Sequence, residues 1–175
     1  MMIRPICAAL CLAAISAQAA DVVSMPRTAA YSDIERIALN VRSECSLPEY
    51  QAKAIQQAFA AADIEVAAID GVQVPAKGAY LVPLIDDAYS GGNAFIGHRK
   101  MVRLKAVLYI DGQKAANFSG MRDSMGGAFG GFKGSCEVLE RCADTLSKDL
   151  LKWYRAQRAA MSLPSSPAPL EAPAP

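Results

Sequence analysis

Histidine is almost absent: the chain has one in 175 residues, His98. A hydrolase using a serine or cysteine nucleophile would need that residue as its base, and no Gly-x-Ser-x-Gly elbow or papain-like cysteine context accompanies it. Ligands paired at zinc-site spacing are missing too, so the sequence is read as having no metal site and no cofactor, and as not an enzyme. Long hydrophobic runs are lacking. The apolar run within residues 6–15 is half of the roughly twenty residues a bilayer core requires, and no later segment reaches that length, so no transmembrane segment is expected in the mature chain. An excess of one charge sign is also missing. Arg4 is the only charged residue in 1–19, and the remainder balances 17 basic against 17 acidic side chains. That balance argues against a nucleic-acid binder, whose affinity rests on neutralising many phosphates. Glycine is missing from both ends, all twelve falling between Gly71 and Gly134, so the flexible loops belong to the middle of the chain.

What is present begins with export. Arg4, the apolar run and Ala17-Gln18-Ala19 form the pattern of a secretory signal peptide over residues 1–19. Asp21 and Val22 follow Ala20 where lipidation would need a cysteine, so cleavage without lipid attachment is expected. The compartment is then the periplasm or the outside of the cell. Residues 20–161 suffice for a single α/β domain. Residues 162–175 hold five prolines and one charge and cannot bury a core, so they read as a Pro/Ala-rich disordered tail.

Three cysteines lie beyond the signal segment. Cys136 and Cys142 are six residues apart in one helical pattern, about 9 Å along the axis, which exceeds the disulfide reach of about 7 Å. Cys45 therefore pairs with one of them. Cys136, placed at a helix start as Cys45 is, is the expected partner, with Cys142 left as a buried thiol on the apolar face and Cys45–Cys142 as the alternative.

Residues 34–42 alternate as a strand, although a helix also fits Ile34, Ile37, Ala38 and Val41. Ser46 and Glu49 are spaced as a capping box ahead of a helix whose face carries Tyr50, Ala54, Ile55, Ala58, Phe59 and Ala62. Strands follow over 63–69 and 79–86, and the polar, Gly-rich stretch 88–97 reads as a long loop. Residues 101–110 and 115–124 make a hairpin around Asp111-Gly112. A three-residue loop of Ile110, Asp111 and Gly112 sets Phe118 opposite Leu104 and keeps one face apolar, whereas a two-residue turn sets Ser119 there. Ser135 caps a last amphipathic helix carrying Leu139, Cys142, Leu146, Leu150 and Trp153, ending near Ala160.

The stretches GAYLVPL, KMVRLKAVLYIDGQK and GGFKGSCEVLERCADTLSKDLLKWY sit in an order of elements that resembles the small α/β module of the TolB amino-terminal domain and of the CsgG and LpoB envelope proteins. The resemblance spans roughly residues 33–155, and is nearest to an uncharacterised group of exported proteins and lipoproteins. It implies a mixed, largely antiparallel sheet with two main helices packed on it. It also implies an adaptor or scaffolding role in the cell envelope, and it carries over no catalytic residue.

Two candidate surfaces emerge. By alternation Arg99, Arg103 and Lys105 share the wet face of the hairpin and could meet a partner protein or an anionic envelope surface. A merely solvated sheet face competes with that reading. Phe129 and Phe132, flanked by glycines, are candidate partner anchors. Lys133, Gly134 and Ser135 ahead of a helix could hold an anion, though the order Phe132-Lys133-Gly134-Ser135 is not a nucleotide loop. Asp86 and Asp87 read as solvated loop carboxylates. The expected function is a non-enzymatic adaptor or assembly factor binding another envelope protein, with an anion- or small-ligand-binding module second and a hydrolase third.

Overall fold

A computed structural model describes residues 21–93, 97–124 and 134–162. Six strands form one mixed sheet: β1 (Asp21–Pro26), β2 (Ala30–Tyr31), β3 (Ile64–Ile69), β4 (Ala79–Asn93), β5 (Gly97–Ile110) and β6 (Gln113–Ser124). Their order is β3-β1-β4-β5-β6, with β2 beside β4. The β3-β1-β4 half is parallel and the longer β4-β5-β6 half antiparallel, so by length the sheet is largely antiparallel. Helices α2 (Leu47–Ala60) and α3 (Ser135–Ser162) pack together against one face, and a short α1 (Leu39–Glu44) lies near β4. The segment expected to be a signal peptide and nearly all of the expected tail fall outside the described residues.

The core lies between the inner sheet face and the helices. Val23, Met25, Leu81, Ile85, Val102, Leu104, Ala106, Leu108 and Phe118 point inward onto Ile55 and Phe59 of α2 and Leu139, Leu146, Leu150 and Tyr154 of α3. Phe59 stacks tilted on Tyr154 at 5.2 Å, and Phe118 on Trp153 at 5.6 Å. Alternation along β5 buries Lys100 on the inner face, at 4% exposure, and leaves Arg99, Arg103 and Lys105 on the other.

Several expectations need correcting. Residues 34–42 are not a strand: Asp33 accepts from the Glu35 N–H to start a 3-10 turn at Ile34–Arg36, and α1 follows. Ile37 and Val41 are buried, and the segment is held to β4 by a bridge from Ile37 to Ala88, by the Ala38 N–H donating to Ala88 O at 3.0 Å and by Asn40 Nδ2 donating to Ser90 O at 3.0 Å. The first strand of the β-helix-β unit is instead β1, which sequence reading passed over. The Gly-rich stretch after residue 87 is no loop up to Asn93, because its backbone pairs residue by residue with the start of β5. Ser46 makes no side-chain capping bond to α2. Pro48 removes the second-position N–H, one of the two donors such a cap can serve, and leaves only that of Glu49. The first backbone bond of α3 runs from Val138 N to Gly134 O at 3.4 Å, so Gly134, not Ser135, precedes the first turn.

The hairpin resolves its register differently from either expectation. Asp111 (φ 49°) and Gly112 (φ 78°) form a two-residue turn of the kind that needs positive φ at both positions. An irregularity between Leu108 and Tyr109 then leaves Ala115 unpaired and shifts β6 by one. The shift restores the inward set: Phe118 faces Ala106 and Gly120 faces Leu104.

The disulfide joins Cys45 to Cys136, with Cα atoms 5.4 Å apart, tying the α1–α2 junction to the start of α3. Cys142 is a buried free thiol, and burial pushes its pKa up.

Candidate functional site

The outer face of β4, β5 and β6 gathers charged and apolar side chains that the helices do not cover. A bulge in β4 shapes it. Ile85 pairs with Leu104 and Asp87 with Arg103, so Asp86 is the extra residue between them. Adjacent residues in a regular strand point to opposite faces, but here Asp86 reaches Lys105 while Asp87 lies across from Arg103, both outer-face residues.

Asp86 is 3% exposed and is not the solvated loop carboxylate expected from sequence. Its Oδ1 meets Lys105 Nζ at 2.8 Å and accepts from Ser32 Oγ at 2.9 Å, and Arg36 approaches its Oδ2 at 3.6 Å. The Lys105 hydrogen bond holds the Asp86 carboxyl below the usual carboxylate range against the opposing effect of burial, with Ser32 and Arg36 adding to it. The carboxylate thus pins the segment carrying β2 and the 3-10 turn onto β4. No sequence motif announces it, because its role depends on a bulge that pairing alone creates.

The three basic residues expected to share a face do share it, in different states. Arg99 pairs with Asp123 at 3.5 Å and Lys105 with Asp86. Arg103 has no carboxylate within 4 Å among the described residues, its Nε is buried without an acceptor, and its guanidinium reaches only Met121 Sδ, at 3.6 Å. Met121, opposite Arg103 in the register, and Tyr89, opposite Met101 on the same face, are 44% and 45% exposed. Farther along β4 the same face is covered: Tyr80 is fully buried, its hydroxyl accepts from Gln73 N at 3.2 Å, and its ring lies 6.4 Å from that of Tyr109.

Phe129, Phe132 and Lys133 lie outside the described residues. Gly134 and Ser135 open α3 next to the disulfide. Between α2 and α3 an open cleft of about 320 Å³ is lined by Tyr50, Ala54, Gln57, Ala58, Asp144 and Lys148. Tyr50 closes one end by donating to Asp144 at 3.1 Å. Beneath it buried Gln51 donates to Ser147 Oγ at 2.8 Å. Among the described residues no group of three or more His, Cys, Asp or Glu could hold a metal ion, and no helix is long and apolar enough to cross a membrane.

A scan against protein-family models gives no match, and a search of curated proteins gives none either. Solved structures do match. A Xanthomonas campestris protein described under the family model DUF330 superposes with a TM-score of 0.58 at 13% identity, covering 81% of this chain and 87% of that one. That likeness shows the fold. Looser superpositions include a minor lipoprotein from Acinetobacter baumannii, with a TM-score of 0.47 at 9% identity, covering 80% of this chain and 94% of that one. Another is rare lipoprotein B from Shewanella oneidensis, with a TM-score of 0.47 at 7% identity, covering 81% of this chain and 99% of that one.

Proposed function

We propose that this chain is a non-enzymatic periplasmic adaptor or assembly factor that docks on another envelope protein through the outer face of β4–β6. The observation that carries the reading is the asymmetry of the sheet. Both long helices pack on the inner face, while the outer face around Arg103 presents Met121 and Tyr89 beside a cation. Arginine, tyrosine and methionine are enriched at protein interfaces, and a patch mixing them with ion pairs is suited to a polar-rimmed contact. The Cys45–Cys136 disulfide and the signal-like segment 1–19 both fit an oxidising compartment.

The test is purification of the full chain from its own cells, alongside Met121→Glu. A protein that co-purifies with the wild type and is lost from Met121→Glu, with the melting temperature unchanged, supports docking on this face. A partner retained by the variant, or none with the wild type, contradicts it.

A further inference from the structure

We propose that Arg103 receives a single carboxylate from the partner protein, an Asp or Glu flanked by apolar residues that settle on Met121 and Tyr89. The inference rests on the adaptor reading and names the chemistry of its contact. Of the outer-face cations, Arg99 and Lys105 already hold carboxylates within the chain. Arg103 does not. Its Nε is a buried donor with no acceptor, and a thioether at 3.6 Å is a weak one. Asp87 stands opposite it in the register yet forms no ion pair with it within 4 Å among the described residues. The outer end of the guanidinium, which holds only that thioether, is part-exposed, and a carboxylate meeting it there would make directional, charge-assisted bonds.

The surrounding charge decides between a protein and a bilayer as the source of the anion. Among the described residues near Arg103, Arg36, Arg99, Arg103 and Lys105 stand against Asp86, Asp87 and Asp123, a local surplus of one positive charge. Recruitment to an anionic bilayer draws on several surplus basic residues, each adding a modest increment. One surplus cation on a face that also exposes Met121 and Tyr89 instead matches a single acidic side chain with apolar neighbours.

The experiment selects peptides from a random phage-displayed library on the immobilised full chain. The selected consensus peptide is then titrated against the wild type, Arg103→Gln and Arg103→Lys, with melting temperatures recorded. The expected result is a consensus containing Asp or Glu beside apolar residues. Arg103→Gln lowers affinity at least about tenfold, Arg103→Lys restores part of it, and amidation of the acidic residue matches the loss. A consensus without a carboxylate, or equal affinity for Arg103→Gln, overturns the proposal. So does Arg103-dependent binding to vesicles of phosphatidylglycerol and phosphatidylethanolamine. Retention of the co-purified partner by Arg103→Gln but not by Met121→Glu removes this inference and leaves the adaptor reading standing. Retention by both removes both.

Discussion

Asp86 is the residue on which the shape of the outer face turns. Its folded-state pKa is lowered, so the stability it supplies is present above its unfolded value, about 3.9. That stability is lost as the pH falls below this value and through the folded one. Asp86→Asn should cost about 1–3 kcal/mol at neutral pH and flatten the acid limb of a urea-midpoint-against-pH profile. A variant with the wild-type acid limb would show that Asp86 does not hold the β2 segment. Tyr154 works at the other end of the scale. Burial first, then the Asp21 carboxylate, pushes its hydroxyl up to about 12. Its contribution is complete below the unfolded value of about 10 and is lost as the pH rises toward the folded one, so alkaline unfolding should be blunted in Tyr154→Phe. At Gly120 an added Cβ would meet the Phe118 ring at 2.8 Å and Leu146 at 3.1 Å. Gly120→Ala should therefore destabilise by about 1–3 kcal/mol through overpacking, as a urea melt would show.

At the scale of elements, local pattern and long-range pairing divide the fold between them. Helices α2 and α3, strand β3 and the hairpin were legible because each carries its own periodicity: Ile55 and Phe59 at spacing four, Leu139 through Leu150 along one stripe, and Phe118 within an alternating strand. Strand β1 was not legible. Its six residues end in Pro26, and it exists because β3 and β4 flank it in parallel. The segment 34–42 fits two periods that share Ile37 and Val41, and it is the exposure of Leu39, at 71%, that breaks the strand alternation. The face shared by Arg99, Arg103 and Lys105 followed from alternation, but their unequal pairing did not, because Asp86 and Asp123 come from neighbouring strands. The hairpin shows the same division, since the need for an inward Phe118 was readable while the bulge at Ala115 that meets it was not. Deleting Ala115 should remove that bulge and, with the turn kept, leave Leu108 opposite Ala116 and Phe118 still inward. A urea midpoint near that of the wild type is expected, and a large fall would contradict the register described here.

For the molecule as a whole, the disulfide and the two-helix layer act together. Cys45 and Cys136 are 91 residues apart, so in the chain-entropy description the bridge stabilises by up to about 4–5 kcal/mol. Reduction should lower the urea midpoint of the full chain, and Cys142, buried and with a raised pKa, should resist alkylation until unfolding. The helices and the bridge cover one side of the sheet, and the proposed contact falls on the other. Site-resolved photocrosslinking in intact cells tests that division most directly, with a photoreactive residue at Met121 on the outer face and, separately, at Lys53, exposed on α2. The account predicts one dominant envelope protein trapped at Met121 and absent at Lys53. Trapping at Lys53 alone, or no specific protein at Met121, would contradict it.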